Sequence, residues 1–305
     1  MAMQFVMRIT FLFLLTYGLA EAASPPMAKP HCKSMCGNLV IPHPFGIGRD
    51  CYMDQSFEIV CNGSGAFLAS IDMEVRQINI SLHGSLHRPT VQVQMPIISK
   101  NCMNTTTSTI STNFTGSRFS FSGLNNTFIS VGCDNFATIA NIAPKVYGCT
   151  SDCNTNMKKT DFSGHRCAGF NCCESSNIPY DLQAFAVDFR SINETKGSGG
   201  PIEPCKYAFL ADQNWWANSK GDPSSVQYWE YVPVVLDWQM FTWFNESDHQ
   251  FFSFQNRPDI SLYASDTFYS RWLYSYYVTC ARGYQGNPYL PNGCKEGKLQ
   301  IHKQL

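Results

Sequence analysis

Apolar and polar residues alternate with a period of two along several short stretches of this chain. Apolar residues occupy every second position from Val91 to Met95, and Val75, Ile78 and Ile80 continue the apolar side of the pattern upstream. A period of two is typical of β-strands that bury one face. Because residues 83–89 resemble a turn, the pattern predicts a β-hairpin within residues 67–98.

The rest of the chain also favours short strands over helices. Residues 119–121, 128–131 and 185–189 are apolar and lie between Gly, Asn and Ser, as expected for further strands. Convincing helical periodicity is scarce, and one helical turn is predicted over residues 212–218 with Asp212 as its N-cap. The Gly-rich stretch 197–201 predicts a flexible link between two lobes. The expected fold class is therefore mainly β, with short strands, long loops, few short helices and two lobes.

The N-terminus has the pattern of an export signal. Arg8 precedes an apolar run that ends at Ala20, and Ala20-Glu21-Ala22 supplies the small residues that signal peptidase requires. The run of about a dozen residues is shorter than the roughly 20 that a membrane-spanning helix needs. We therefore expect a signal peptide over residues 1–22, a secreted, extracellular product and no membrane span in this chain.

The cysteines indicate a disulfide-rich domain. All of them follow the expected cleavage site, and an even number in an exported chain favours disulfides. The alternative is a zinc site, because Cys149, Cys153 and the Cys172-Cys173 pair resemble ligand spacings, but two clean paired knuckles are lacking. We expect no metal and no cofactor. The 14 disulfide candidates are Cys32, Cys36, Cys51, Cys61, Cys102, Cys133, Cys149, Cys153, Cys167, Cys172, Cys173, Cys205, Cys280 and Cys294.

N-glycosylation sequons support the same compartment. Each occupied site must face solvent, and glycans near residues 104, 113 and 125 would screen one side of the first lobe. The sequons begin at Asn62, Asn79, Asn104, Asn113, Asn125, Asn193 and Asn245.

Charge limits the class of partner. Charged residues make up 15% of the chain and the formal net charge is −1, so no general field attracts nucleic acid or an anionic membrane. An anionic ligand must therefore be held by a local basic patch.

Six motifs in one order carry a family resemblance. The segment CGNLVIPHPFGIGRDC beginning at Cys36 is followed by FEIVC at residues 57–61, VGC at 131–133, CAGFNCC at 167–173, CKYAFLAD at 205–212 and VPVVLDW at 232–238. Together they resemble the extracellular region of plant wall-associated receptor kinases over residues 32–238. The resemblance implies a galacturonan-binding module that contacts cell-wall pectin, and full-length relatives sit in the plasma membrane with a cytoplasmic kinase.

The tail carries a second resemblance. Residues 280–294 are similar to the end of an epidermal-growth-factor-like (EGF-like) module, in which the last two cysteines clamp a hairpin and Gly283 and Gly286 allow tight turns. The four earlier cysteines of such a module are absent between residues 205 and 280, which indicates a degenerate remnant. The expected domains are the signal peptide 1–22, a galacturonan-binding lobe 32–196, a second lobe 205–238, an aromatic-rich segment of unclear status 239–279 and the EGF-like remnant 280–294.

The expected ligand is an acidic cell-wall polysaccharide, pectin or oligogalacturonide. Its carboxylates require spaced cations, and Arg is the better partner because its planar fork makes two hydrogen bonds. The candidates in the first lobe are Arg76, Arg88, Lys100, Lys158, Lys159 and Arg166. Solvated surface charge is the competing interpretation for each of them.

Aromatic residues offer weaker candidates for the same site. Trp215, Trp216, Tyr228, Trp229 and Trp238 could stack on sugar rings, although core packing is the commoner role of such residues. We interpret Pro42, Pro44, Phe45, Gly46 and Gly48 as a structural turn packed by Phe45.

Catalysis is not expected. Glycoside hydrolysis needs two facing carboxylates, and no spacing singles out such a pair among Asp72, Glu74, Asp134, Asp152, Asp161, Asp212 and Glu230. The Gly-rich loop, HRD and DFG motifs of kinases are also absent from the sequence. We therefore predict no catalytic residues and a polysaccharide-binding protein. The alternatives are a secreted partner or decoy of a receptor ectodomain, and a truncated product of a receptor kinase.

Overall fold

The structure is a computed structural model. It describes residues 26–63, 65–80, 88–102, 111–142, 144–153, 167–192, 205–219, 223–243, 249–270 and 273–297. The predicted signal peptide and the predicted link at 197–201 lie outside these residues.

Short strands dominate the described chain, which confirms the mainly β prediction. The first eleven are β1 (Met35–Cys36), β2 (Leu39–Val40), β3 (Ile59–Asn62), β4 (Gly65–Leu68), β5 (Met73–Asn79), β6 (Thr90–Pro96), β7 (Ile98–Lys100), β8 (Thr112–Asn113), β9 (Phe119–Phe121), β10 (Asn126–Val131) and β11 (Asn135–Ile139). They are followed by β12 (Gly148–Ser151), β13 (Cys172–Ser175), β14 (Ala184–Phe185), β15 (Val187–Arg190), β16 (Lys206–Asp212), β17 (Tyr231–Trp238), β18 (Met240–Trp243), β19 (Ile260–Ser270), β20 (Leu273–Cys280), β21 (Tyr284–Gly286) and β22 (Cys294–Glu296).

The largest sheet has six strands in the order β3-β4-β5-β6-β17-β9. The predicted hairpin is confirmed, because β5 pairs antiparallel with β6, and β6 alternates buried and half-buried residues as its sequence predicts. Strand β17 lies between β6 and β9. Residues 205–238, predicted as a second lobe, therefore supply an inner strand to the main sheet of the first lobe.

A second sheet has four strands in the order β13-β10-β16-β7. Its inner strand β16 again comes from residues 205–238. All six residues of β10 are buried, which means that both of its faces are covered. Two smaller sheets lie in the same part of the sequence: the three-stranded sheet β12-β11-β15 and the two-stranded sheet of β8 and β14.

Aromatic side chains fill the core beside the main sheet. Phe45, Phe57, Phe119 and Trp238 are each at most 1% exposed, and their rings meet mostly edge to face, with centroids 5.1 Å apart for Phe45–Phe57 and 5.5 Å for Phe45–Trp238. Such rings bury large apolar areas and prefer this geometry. Phe45 is thus a core residue, as the structural interpretation of its turn predicted.

The aromatic-rich segment 239–279 forms a sheet of its own in the order β18-β20-β19. A helix missed by the sequence pattern, α2 (His249–Gln255), packs beside it. The fully buried Tyr276 lies 5.0 Å from Phe251 and 6.4 Å from Phe254 between ring centroids. The ordinary helical signal is weak here because α2 spans 7 residues.

The C-terminal hairpin β21–β22 is closed by a disulfide from Cys280 to Cys294. Gly283 and Gly286 have φ angles of 93° and 127°, so they occupy the backbone region that glycine tolerates. The buried Asn287 donates to the carbonyl oxygens of Met27 and His43 at 2.7 and 2.6 Å. The hairpin is therefore fastened to the N-terminal part of the fold.

All fourteen cysteines form disulfides, which confirms that prediction over the zinc alternative. Cys149 and Cys153 bond to different partners, so their spacing does not mark a shared ligand set. The pairs are Cys32–Cys51, Cys36–Cys61, Cys102–Cys205, Cys133–Cys153, Cys149–Cys173, Cys167–Cys172 and Cys280–Cys294.

The helix predicted from the cap signal is also present, as α1 (Gln213–Asn218). Asp212 precedes α1. The Asp212 carboxylate accepts hydrogen bonds from the backbone N–H groups of Asn214 at 2.8 Å and Trp215 at 3.2 Å. These bonds satisfy donors that a helix N-terminus leaves free.

Candidate functional site

The predicted cations occupy separate places in the fold. Arg76 lies on β5, Arg88 lies two residues before β6, and Lys100 ends β7 in the other large sheet. Lys158, Lys159 and Arg166 lie outside the described residues. The described cations therefore form no continuous patch, and Arg76 is the one that lines a cleft.

Arg76 lies on the outward face of β5, beside an irregularity in the strand. The pairing of β5 with β6 changes register between Val75 and Gln77, so Arg76 lies at a bulge, a feature that redirects side chains. Val75 is buried and Arg76 is exposed. The guanidinium lies 3.2 Å from the carboxylate of Glu74, with 51% of the Arg76 side chain accessible.

This guanidinium lines a large cleft in the described part of the chain, which we call the long cleft. Its volume is about 1180 Å³, comparable to or larger than typical small-ligand pockets. The outer faces of β5 and β6 supply Arg76, Gln94 and Pro96. The remaining lining residues are Phe67, Ser70, Ile71, Asp72, Met73, Glu74, Ser111, Thr112, Asn113, Phe114, Thr115, Ser117, Tyr228, Glu230 and Tyr231.

Two tyrosines form an open aromatic wall of the long cleft. Tyr228 is 80% exposed and Tyr231 is 57% exposed. Tyr231 pairs with Pro96 across the β17–β6 ladder. This pairing fixes the backbone of Tyr231 relative to β6, which also lines the cleft. An exposed aromatic ring beside polar groups is suited to stacking on the apolar face of a sugar.

Charge in the long cleft is mainly negative. Asp72 and Glu230 are exposed and Glu74 is half-buried, and Arg76 is the one cation among the described residues that line the cleft. Among its described residues, the cleft therefore combines one cation, which could contact an anion, with three carboxylates.

A smaller groove of about 340 Å³ is also lined by Arg76. It lies between the turn at Gly37 and Asn38 and the turn at Asn62 and Gly63, and the disulfide from Cys36 to Cys61 holds the two turns together. All its lining residues fall within 36–76. Arg76 is thus accessible from two adjoining depressions.

Arg88 and Lys100 have different surroundings. The Arg88 guanidinium donates to Asp181 at 2.6 Å, and both side chains are largely covered, with 23% and 15% exposed. The Lys100 ammonium lies 3.5 Å from the carbonyl oxygen of Phe189. A ligand contact by Arg88 would have to break a partly buried ion pair, which carries a substantial free-energy penalty.

Most of the tryptophans proposed for stacking have core positions. Trp238 is fully buried and Trp216 is 4% exposed, and the Trp216 indole donates to Glu174 at 2.8 Å. Trp215 and Trp229 pack against each other with ring centroids 5.4 Å apart. Of the aromatic candidates, Tyr228 is the one that lines the long cleft. The sequence analysis missed Tyr231 and Gln94, which also line the long cleft. The signal that could have found them is their outward-facing position on their strands.

The described sequons differ in exposure. Asn62, Asn79 and Asn113 are exposed, whereas Asn125 is half-buried. Asn113 lines the long cleft and Asn62 lines the smaller groove. Asn104, Asn193 and Asn245 lie outside the described residues.

The candidate carboxylates are spread over the fold. Asp72, Glu74 and Glu230 line the long cleft, whereas Asp134 accepts hydrogen bonds from Ser191 and from the Ile192 backbone, and Asp212 caps α1. Asp152 accepts from the backbone N–H of Cys153 at 2.7 Å, and Asp161 lies outside the described residues.

Two buried titratable groups lie away from both depressions. Burial raises the pKa of Asp237 to about 6. Burial, aided by the charge of Lys29, lowers the pKa of His43 to about 4. Because neither lines the long cleft, they bear on stability.

No helix among the described residues has the length and apolar character needed to cross a bilayer.

Comparison with known proteins identifies the relatives of this chain. The model of the family "Wall-associated receptor kinase galacturonan-binding" matches residues 32–87, and that of the family "Wall-associated kinase" matches residues 164–251. The second match extends beyond residue 238, where the motif resemblance ended, into the aromatic-rich segment. Both are matches to a non-catalytic, ectodomain-type region.

Curated relatives from Arabidopsis thaliana align with most of the chain. Wall-associated receptor kinase-like 10 is 30% identical over 94% of this chain and 40% of its own length, and wall-associated receptor kinase-like 3 is 32% identical over 90% and 40%. The chain therefore spans about two fifths of each of these relatives. No solved structure matches. The chain carries two family domains and is homologous to wall-associated receptor kinase-like proteins across most of its length, which confirms the resemblance seen in the sequence.

Proposed function

We propose that this protein binds galacturonan in the plant cell wall, outside the cell and without catalysis, through the long cleft around Arg76. One observation carries the proposal: the half-exposed guanidinium lines the long cleft and lies within the segment matched by the galacturonan-binding family.

The chemistry of the cleft suits an acidic sugar. An Arg guanidinium can form two parallel hydrogen bonds with a galacturonate carboxylate. Its present contact with Glu74 is a partly exposed ion pair, with 51% and 25% of the two side chains accessible. Because exposed pairs contribute only about 0–1 kcal/mol, a ligand carboxylate can take the place of Glu74. Tyr228 and Tyr231 would stack on sugar faces, and the Gln94 amide would bond to hydroxyl groups.

The other predicted cations remain candidate contacts. Lys100, Lys158, Lys159 and Arg166 could extend binding along a longer polymer, since several ion pairs in register add up where one is weak. Arg88 is the weakest candidate because it already pairs with Asp181.

A second candidate function is a secreted partner of a receptor ectodomain. It is favoured by an apolar groove of about 720 Å³ lined by Met27, Met35, Val40, Leu290 and Pro291. Met35 and Val40 are 50% and 45% exposed, which is typical of protein contacts. This alternative predicts binding to a receptor ectodomain and no affinity for pectin.

The test is binding of the purified, oxidised protein from Ala23 onward to oligogalacturonides of graded length, with a neutral glucan as control. Affinity should increase with length and fall with salt, because each added carboxylate contact is electrostatic. The oligosaccharide should be recovered intact, whereas an enzyme would shorten it. A folded sample that binds no oligogalacturonide at low salt would refute the proposal.

Variants place the binding site. Arg76→Gln should weaken binding by about 10- to 100-fold, the loss expected for a charge-assisted hydrogen bond. Arg282→Gln is the matched control, because Arg282 is exposed on the C-terminal hairpin and does not line the long cleft. Charge reversal at Lys158, Lys159 and Arg166 tests the other candidates in the same assay. Equal affinities for Arg76→Gln and Arg282→Gln would move the site away from the long cleft.

A further inference from the structure

We propose that an N-linked glycan on Asn113 lies in the long cleft and competes with galacturonan for it. This inference rests on the proposed function and adds a way in which that site is regulated, through the presence and size of the glycan at one sequon. It follows from the position of Asn113, from the hydrogen bonds of its side-chain amide and from the residues that line the cleft.

The sequon Asn113-Phe114-Thr115 is anchored by its middle residue. Phe114 is 7% exposed and packs on Phe121 with ring centroids 4.9 Å apart, and its backbone N–H donates to the carbonyl oxygen of Gln183 at 3.0 Å. Asn113 and Thr115, on either side of it, are exposed. Asn113 also ends β8, which pairs with β14. The backbone of Asn113 is therefore held in place while its side chain is accessible.

The side-chain amide of Asn113 is bonded through its oxygen. This oxygen accepts hydrogen bonds from the backbone N–H of Thr115 at 2.9 Å and from the Thr115 hydroxyl at 2.6 Å. Among the described residues, none accepts a hydrogen bond from the amide nitrogen of Asn113. The amide nitrogen of Asn125, by contrast, donates to Ser122 at 2.9 Å. Because a glycan is attached at this nitrogen, Asn113 can carry one without losing a bond to the described part of the fold.

The first sugars of such a glycan start at the lining of the long cleft. Asn113 lines this cleft together with Arg76, Tyr228 and Tyr231. N-acetylglucosamine, the sugar attached to the asparagine, is neutral, and the apolar face of its ring can stack on a tyrosine. The carboxylates of the cleft do not repel a neutral sugar. The tyrosine wall is therefore open to the glycan as well as to galacturonan.

The two carbohydrates compete for this wall. Pockets that enclose a small ligand have volumes of about 300–1,000 Å³, so the long cleft, at about 1180 Å³, has room for one short sugar chain along the tyrosines. A short flexible tether gives an attached ligand an effective concentration in about the millimolar range, so weak stacking is enough to keep the glycan in the cleft. Galacturonan can displace it, because the acidic polymer also pairs with Arg76.

Occupancy of the cleft by the glycan lowers the apparent affinity for galacturonan. When a site is accessible in only a fraction of the molecules, the apparent affinity is reduced by that fraction. A cleft that the glycan leaves open in about one tenth to one third of the molecules therefore binds galacturonan about three- to tenfold more weakly than the same cleft without the glycan.

The experiment measures binding of a de-esterified oligogalacturonide with and without a glycan at Asn113. The full chain is expressed in cells that attach high-mannose glycans, and peptide mapping by mass spectrometry first establishes which sequons are occupied. Asn113→Gln and Thr115→Ala remove the same glycan by changing different side chains. Both variants should bind the oligogalacturonide about three- to tenfold more tightly than the glycosylated, unmodified protein.

Asn79→Gln is the matched control. Asn79 begins another exposed sequon, at the end of β5, and it lines neither the long cleft nor the smaller groove, so its replacement should leave the affinity unchanged. Endoglycosidase treatment of the folded proteins then trims each glycan to its first sugar without changing the polypeptide. Trimming should raise the affinity of the unmodified protein and of Asn79→Gln, and it should not raise that of Asn113→Gln.

The outcomes separate this inference from the proposed function. If Asn113 carries no glycan, or if Asn113→Gln and Thr115→Ala bind no more tightly than the glycosylated protein, the inference is overturned while galacturonan binding stands. If trimming raises the affinity of Asn113→Gln as much as that of the unmodified protein, another glycan is responsible and the inference is likewise overturned. If no form of the protein binds the oligogalacturonide, with or without its glycans, the proposed function itself fails.

Discussion

Replacing Asp237 by asparagine should change how the stability of this protein depends on pH. Asp237 lies on β17 beside the ion pair of Arg88 and Asp181. Burial raises its pKa from 3.8 to about 6, and a hydrogen bond with Ser122 and the charge of Arg88 only partly oppose this rise. Asp181 already pairs with Arg88, so an ionised Asp237 adds a second negative charge beside this ion pair.

The magnitude follows from the difference between the folded and unfolded states. Asp237 releases its proton near pH 3.8 when unfolded and near pH 6 when folded, so the native state holds the extra proton between these values. The free energy of unfolding therefore falls as the pH rises through this window, by about 3 kcal/mol in total. The stability that Asp237 contributes in its protonated form is fully present below pH 3.8 and is lost above about pH 6, the pKa of the folded state.

His43 has the opposite effect over nearly the same range. Burial lowers its pKa from 6.5 to about 4, and the charge of Lys29 acts in the same direction. Between these values the unfolded state holds the extra proton, so the free energy of unfolding rises with pH, again by about 3 kcal/mol. The two contributions oppose each other, and Asp237→Asn removes one of them while keeping the shape of the side chain.

The assay is urea unfolding at pH 4, 5, 6, 7 and 8 with the disulfides intact. The difference in unfolding free energy between Asp237→Asn and the unmodified protein should be near zero at pH 4 and should favour the variant by about 3 kcal/mol at pH 8. Asp188→Asn, at an exposed position on β15, is the control and should show no such trend. A difference for Asp237→Asn that stays constant from pH 4 to pH 8 would refute the reasoning.

Three further changes test other parts of the molecule. Asn287→Ala removes hydrogen bonds of 2.7 and 2.6 Å to two backbone carbonyls, and we expect a loss of about 2–4 kcal/mol in urea unfolding; a loss below about 1 kcal/mol would contradict this role. Replacing both Cys102 and Cys205 by Ser opens a bridge with a sequence separation of 103, which should lower the unfolding free energy by about 4–5 kcal/mol; an unchanged unfolding midpoint would be inconsistent with it. A fragment of residues 26–80 lacks β6 and β17, so it should neither unfold cooperatively nor bind oligogalacturonide, and a fragment that binds as tightly as the full chain would exclude the long cleft as the site.

Local features of the fold could be predicted from the sequence because each depends on neighbouring residues. The alternation from Val91 to Met95 sets the buried face of β6, and β6 buries those positions. Asp212 could be recognised as a cap because a helix N-terminus needs an acceptor a few residues away. The same reasoning places Phe45 in the core, since its flanking prolines and glycines fit a tight turn.

Features that depend on distant residues could not be predicted in this way. No local pattern shows that Arg88 meets Asp181, which is 93 positions away, so the sequence alone presents Arg88 as a surface cation. The pairing of Tyr231 with Pro96 and the disulfide from Cys102 to Cys205 likewise join residues that are far apart in the sequence. The bulge at Arg76 escapes periodicity because one displaced residue breaks the pattern that would reveal it.

The long cleft depends on contributions from both family-matched segments. Arg76 lies in the segment 32–87, and Tyr228 and Tyr231 lie in the segment 164–251. Strand β6 joins them, because it pairs with β5 on one side and with β17 on the other. A slip of two residues in either ladder would keep the buried face but would displace the guanidinium from the tyrosine by about 7 Å. The distance between the cation and the stacking surface is therefore set by backbone hydrogen bonds, and a ligand would bind without first having to order these groups.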